Sequence, residues 1–353
     1  MKDEILSEEF NVIPQPKSHK KIKIAITLIA FLGIIATTTL LVGHFKFDLF
    51  KKEDYIIDPK ISRALNQEDY FTEKKAIKSK IGASAAYDYL DYDYSTKKFV
   101  KKTCSNPTSI DGDERYLTSG WYVVSRYVMS KYRVEISGKV NIILLDGFKW
   151  EAVGGLNVAS GSQLTIFGQT GGTGQLESNS DEKYEAAIGG GENQSVGDIT
   201  INGGKVFAHS YGGSYGAGIG GGSFGEGGNV TINGGFVEAF STDGAGIGGG
   251  VYGTCGTIII NGGEVNAESS QGAGIGGGPN KAGGSVSING GKVIAQSGYG
   301  SGIGAGVGGK DQGILKIGSG VTLYGGNSES SLKILANTPT ENVTTRTKFM
   351  KVN

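Results

Sequence analysis

Gly218-Ile219-Gly220-Gly221-Gly222 and Val230-Thr231-Ile232-Asn233-Gly234-Gly235-Phe236-Val237 decide the fold, because both phrases return at a fixed step. The first recurs around Ile188, Ile247, Ile275 and Ile303, and the second around Asn202, Asn261 and Asn289. From Ile188 to Ile219 is a step of 31 residues, and each later step is 28; the asparagines keep the same steps. Two independent landmarks sharing one period mark a solenoid rather than a glycine bias.

The pattern inside one unit sets the kind of solenoid. Ile199, Ile201, Val206 and Ala208 are apolar or small and alternate with Thr200, Lys205, Phe207 and His209. Period two means strands with one buried face. Glycine pairs punctuate them, and glycine is poor inside a helix and well suited to a tight bend. Three short strands per turn are predicted, near Ile199–Ile201, Val206–Ala208 and Gly218–Gly220. Each would pair in parallel with its copy in the next turn, about 4.8 Å away.

Stacking puts Ile201, Ile232, Ile260 and Ile288 in one interior column, and Val206, Val237, Val265 and Val293 in another. Ala208, Ala239, Ala267 and Ala295 form a third. Asn202, Asn233, Asn261 and Asn289 fall at a bend. Asparagine tolerates unusual backbone angles there, and its amide can bond to the amides above and below. These four read as a structural ladder rather than as ligand-binding residues.

The phrases ITINGG and GAGIGGG, with GSQLTIFGQTGGTGQL from Gly161 to Leu176, resemble repeat proteins on the surfaces of some bacteria and anaerobic protists. This resemblance covers roughly residues 121–326 and implies no agreed activity. More distantly the chain resembles a clostridial carbohydrate-binding family with a pectate-lyase-like β-helix, which implies a polysaccharide ligand.

Around the repeats the chain divides by composition. Residues 1–23 are a polar tail with a basic end at Lys17, Lys20, Lys21 and Lys23. Residues 24–43 open with an uncharged apolar run, Ile24 to Val42, close to the roughly 20 residues a spanning helix needs. The lysines before it, against the mixed charges after it, put the N-terminus in the cytoplasm and the repeats outside. The alternative is a cleaved secretory signal, whose apolar core is shorter, about 7–15 residues. Residues 44–117 read as a charged, tyrosine-rich stalk, with a short helix over Ile61–Lys80 and an alternating aromatic–acidic run from Tyr87 to Tyr94. That run suits an edge strand, a stalk segment or a tyrosine-rich patch. Residues 118–185 read as an N-terminal cap and first turns, 186–326 as the repeats, and 327–353 as a C-terminal cap and tail. Leu332–Leu335 supplies one closing strand there.

The chain carries 34 basic and 34 acidic side chains among 353 residues, so charge points to no nucleic acid and no acidic partner. Its 62 glycines are periodic, which sets them apart from low complexity. Two cysteines exclude a disulfide framework. Outside the cell a bridge between Cys104 and Cys255 is permitted, and nothing in their spacing demands one. Asp88, Asp91 and Asp93 lack the glycine and closing glutamate of an EF-hand. The outward repeat columns hold no constant residue type, and no carboxylate pair recurs at a spacing suited to acid–base work. His209 reads as a solvated face residue. The GxGxxG-like strings follow the solenoid period and precede no helix, so they signal no nucleotide. No catalytic residue, metal site or cofactor is expected.

The sequence therefore predicts an all-β, right-handed parallel β-helix preceded by a single transmembrane helix and a stalk. The expected function is a plasma-membrane, single-pass interaction protein, adhesin-like or glycan-binding, facing a polysaccharide or a host or neighbouring cell surface. A purely structural surface rod is the first alternative, and a polysaccharide lyase or hydrolase the second. The candidate site is the loop position five residues after each repeat isoleucine: Asn193, Phe224, Tyr252, Asn280 and Gly308. In-register stacking makes Phe224 and Tyr252 neighbours, flanked by the Asn193 and Asn280 amides. An apolar sugar face lies well on an aromatic ring while its hydroxyls bond to amides. The first repeat carries three extra residues between Ala208 and Ile219, including Tyr211 and Tyr215, which are expected to form a lip near this pair.

Overall fold

The computed structural model describes residues 10–12, 24–26, 85–180, 182–211, 215–336 and 347–352. The chain divides into two units, 1–83 and 84–353. In the first, the described residues are two short strands, Phe10–Val12 and Ile24–Ile26, paired antiparallel. Apart from Ile24–Ile26, the expected membrane span and the expected helix over 61–80 lie outside the described residues. No helix among the described residues is long and apolar enough to cross a membrane.

The second unit is a parallel β-solenoid with three sheets, and each repeat supplies one strand to each sheet. Sheet 1 contains Asp198–Ile201, Asn229–Ile232, Thr257–Ile260 and Ser285–Ile288. Sheet 2 contains Lys205–Ser210, Phe236–Ser241, Glu264–Ser269 and Lys292–Ser297. Sheet 3 contains the two-residue strands Ile188–Gly189, Ile219–Gly220, Ile247–Gly248, Ile275–Gly276 and Ile303–Gly304. The register is the one the repeat predicts: Ile201 pairs with Ile232, Val206 with Val237, and Ile219 with Ile247. Stacking begins before the repeats, at Thr108–Ser109 in sheet 1.

The interior columns are dry. Ile201, Ile232, Ile260, Ile288, Val206, Val237, Val265 and Val293 are each fully buried. Identical residues one turn apart fill identical space, so the same few branched side chains from each turn pack the core. Sheet 3 needs glycine for a specific reason. Gly189, Gly220, Gly248, Gly276 and Gly304 have φ between 131° and 145°, a region that only glycine enters readily. At the first four of these, the backbone of the next turn stands where a side chain would go; at Gly304 the Gln312 side chain takes that place.

A second set of ties was not anticipated. Ser241, Ser269 and Ser297 point inward at the end of their sheet 2 strands. Each hydroxyl donates to a carbonyl of the preceding turn: Gly216 at 2.7 Å, Gly244 at 2.6 Å and Gly272 at 2.6 Å. Buried hydroxyls need such partners, and here the partner lies in the neighbouring turn.

The described part of the expected stalk, residues 85–117, is built into the solenoid unit. Ala86–Asp93 and Lys98–Ser105 form an antiparallel hairpin laid on the outer face of sheet 1. The reason lies in one outward column, which reads Val123, Ile143, Phe167 and then Asn202. Its first three residues are apolar and would face water; instead they pack with Tyr89 and Cys104 of the hairpin. Tyr89 stands 4.9 Å from Trp121 and 4.8 Å from Phe167, ring centre to ring centre. From Asn202 onward the column is polar and self-satisfying. Asn289 donates to Asn261 at 2.8 Å, Asn261 to Asn233 at 2.7 Å, and Asn233 to Asn202 at 2.7 Å. Asn202 ends the chain of bonds on the Asp91 carboxylate of the hairpin, at 3.0 Å.

The C-terminal closure differs from the sequence reading. Lys333–Ala336 is a strand, as expected of that segment, but it lies at the outer edge of sheet 2. Phe349–Val352, read as polar tail, inserts between Lys292–Ser297 and Leu323–Gly326, antiparallel to both. Met350 and Val352 are fully buried there, so the tail itself carries the apolar cover. Cys104 and Cys255 are both free, and they are buried in different clusters. Burial pushes the Cys255 thiol up to about 12.

Candidate functional site

The loop after each sheet 3 strand turns sharply at one position. Asn193, Phe224, Tyr252 and Asn280 have φ of 56°, 58°, 60° and 63°, and Gly308 has 75°. All five therefore sit in the left-handed region, and they form one column. Asn193 N–H donates to Ser223 O at 2.8 Å, Phe224 N–H to Val251 O at 2.8 Å, and Asn280 N–H to Val307 O at 2.7 Å. Asparagine and glycine are the residues this backbone prefers, and three of the five positions use them. Phe224 and Tyr252 do not. A left-handed conformation costs an ordinary L-residue roughly 1–2 kcal/mol.

The strained pair is also outside the core. Phe224 is 53% exposed and Tyr252 is 47% exposed. Their rings stack at 5.2 Å between centres and 26° between planes. Two rings from adjacent turns thus make a small stacked platform in water, with their inner faces turned to each other and their outer faces and edges open. Strain of this sort at exposed aromatics points toward function, since shielding a glycine loop does not require it.

The expected lip divides. Tyr215 stays close through its backbone, because its carbonyl accepts from Val251 N–H at 2.7 Å, the residue before Tyr252. Its ring pairs with Tyr184 at 5.6 Å, with the Lys183 ammonium 5.3 Å and 5.2 Å from the two ring centres. In the following turns the same column holds Asp243 and Gln271, which hydrogen-bond to each other. Burial pushes the Asp243 carboxyl up, and the Gln271 amide opposes it.

Tyr211 is not part of that platform. It lies on the outer face of sheet 2, continuing the outward alternation Lys205, Phe207, His209. Its hydroxyl bonds to His209 Nδ1 at 2.8 Å, and His209 Nε2 lies 3.1 Å from Glu238 Oε1. Phe207 packs on His209, Phe240 on Tyr211, and Phe236 against Phe207. His209 keeps 14% of its side-chain exposure, so it is enclosed by partners and not the solvated residue expected. The two-residue spacing from His209 to Tyr211 was the available signal.

Sequence reasoning also missed a groove of about 1000 Å³ between the hairpin and sheet 1. Among the described residues no group of three or more His, Cys, Asp or Glu side chains could hold a metal ion.

Residues 199–223, 230–251, 258–279 and 286–307 match the family described as Beta helix repeat. The match agrees with the stacked strands and marks the chain as carrying β-helix repeats. Comparison with curated proteins and with solved structures gives no match.

Proposed function

We propose that the chain is a membrane-anchored, cell-surface interaction protein whose right-handed β-helix binds glycan without catalysis. The observation that carries this reading is the exposed Phe224–Tyr252 stack, held in a backbone conformation that opposes it. The open outer faces and edges of this aromatic stack suit the apolar face of a sugar, and the Asn193 and Asn280 positions flank the pair in the same column. Handedness follows the strong preference of parallel strand connections for a right-handed path.

The test replaces both rings with glycine. Phe224→Gly/Tyr252→Gly removes the platform and relieves about 1–2 kcal/mol of strain at each site. Against this stand the lost stacking, about 0.5–1.5 kcal/mol, and the greater freedom of the unfolded chain. The melting temperature is expected to stay close to that of the parent, while affinity for the best glycan of a polysaccharide panel falls about tenfold or more. Undiminished binding would remove this pair from the site.

The anchor makes a separate prediction. The lysine asymmetry around Ile24–Val42 implies that protease added to intact cells removes epitopes beyond Lys51 and spares those before Lys23. Protected repeats would overturn the surface assignment.

A cleaving enzyme is the second reading, and the Tyr211–His209–Glu238 chain of bonds favours it over other catalytic assignments. Chain shortening of a bound polysaccharide, abolished by His209→Ala, would establish it.

A further inference from the structure

The hairpin leaves part of sheet 1 uncovered, and a groove of about 1000 Å³ runs between them. That volume is at the upper end for a small-molecule pocket, as an open trough for a longer ligand would be. Its floor is repetitive. Thr165, Thr200 and Thr231 stand one above another, and Gln163, Asp198 and Asn229 form the neighbouring column. Both columns face outward, so each of these turns presents one hydroxyl and one amide or carboxylate.

The walls have a different chemistry. At one end Trp121 stacks with Phe167 at 5.2 Å and meets Tyr89. On the hairpin side stands Tyr94, 61% exposed, its hydroxyl accepting from Asn233 at 3.1 Å. The carboxylates in the groove already have partners. Asp91 bonds to Lys102 at 2.6 Å and to Asn202. Asp198 accepts from Asn229 at 2.9 Å and from Gln163 at 3.5 Å. A cationic ligand would have to compete with these bonds and approach Lys139, which also lines the groove, whereas a ligand rich in hydroxyls can share them.

Spacing selects among hydroxyl-rich ligands. The groove crosses five consecutive strands of sheet 1, from Gly120–Val124 to Asn229–Ile232. Four inter-strand steps of about 4.8 Å give roughly 19 Å. One step is comparable to the advance of one sugar ring along an extended 1,4-linked chain. A polymer lying parallel to the solenoid axis therefore meets one hydroxyl and one amide or carboxylate per ring along the three turns of Thr165, Thr200 and Thr231, then Asn141 with Lys139, and the Trp121 ring at the end.

We propose that the groove between the hairpin and sheet 1 is a second glycan site, which takes an uncharged, extended polysaccharide chain along the solenoid axis at about one sugar per turn. It rests on the glycan-binding reading above and uses none of the same residues.

The test titrates the full-length protein in detergent with xylan and galactomannan as neutral polymers, and with polygalacturonate as the anionic comparison. Thr200→Arg fills the middle of the floor from an outward strand position; Tyr94→Ala removes one wall; Thr200→Ser keeps the hydroxyl. With melting unchanged, Thr200→Arg and Tyr94→Ala are each expected to weaken neutral-polymer binding about tenfold, and Thr200→Ser to leave it intact. Undiminished binding in both groove variants, with loss only in Phe224→Gly/Tyr252→Gly, would overturn the groove and keep the proposed function. Preference for polygalacturonate would overturn the ligand class. Failure of the parent to bind any of the three polymers would overturn both proposals.

Discussion

Gly248→Ala is expected to destabilise the solenoid by about 4 kcal/mol and to lower its melting temperature by roughly 10 °C, one of the largest effects a single methyl group can have. Two costs add. Gly248 has φ 136°, where an L-residue is strained by about 1–3 kcal/mol. The new Cβ would also fall on the carbonyl oxygen of Gly276 in the next turn, which is backbone and cannot swing away. Relief requires the turns to separate, and that breaks the short sheet 3 pairing of Ile247–Gly248 with Ile275–Gly276. Gly161→Ala is the control. Gly161 also has positive φ, 76°, but nothing lies within 4 Å of an added Cβ. It should lose only the conformational part, about 1–2 kcal/mol. Thermal melts of the two variants side by side separate backbone strain from turn contact. Equal losses would mean the turns are not in contact at Gly248.

The same glycine explains why the repeat was readable. A position that accepts one residue type in every turn prints itself on the sequence at the solenoid period, and so do Val265 and its column neighbours. The outward features left weaker marks. Tyr87 to Tyr94 alternates aromatic and acidic residues, which fits a strand but names no partner. Its contacts reach across the chain, as from Asp91 to Asn202. A signal for the hairpin did exist. Asn202 begins a polar column, while the earlier turns put Val123, Ile143 and Phe167 at the same outward position. Three apolar side chains on an otherwise polar face call for a cover. For Tyr211 the sequence carries two signals: the extra residues of the first repeat point to a loop, and the odd-numbered alternation from Lys205 points to the outer face of sheet 2 beside His209, where it lies. For Phe224 and Tyr252, the period gave their adjacency; the asparagines and glycine in the same column hinted at the left-handed turn, and only the backbone angles turned that hint into strain.

Val265→Asp is expected to be still more damaging at neutral pH and to lose part of its effect in acid. Val265 is fully buried in sheet 2, between Val237 and Val293. Its column offers a carboxylate no polar partner, so burial favours the neutral form. Full burial raises a carboxyl pKa by up to about 3–5 units, at 1.36 kcal/mol per unit. At pH 7 this gives a penalty of roughly 4 kcal/mol, set by protonating the group, beyond the lost valine packing. The sign of the pH dependence follows. The folded-state pKa lies above the unfolded value of about 3.9, so the unfolded state releases its proton first as pH rises. The deficit against the parent therefore grows from about pH 4 upward and is smallest below it. A solenoid turn is supported only by its neighbours, so hydrogen-exchange protection should fall in the strands Phe236–Ser241 and Lys292–Ser297 before it falls near Leu144. Chemical denaturation of parent and variant at pH 4 and pH 7 checks the first point, and exchange at single residues checks the second. A deficit independent of pH would mean that the carboxylate reaches water, and hence that Val265 does not face the core.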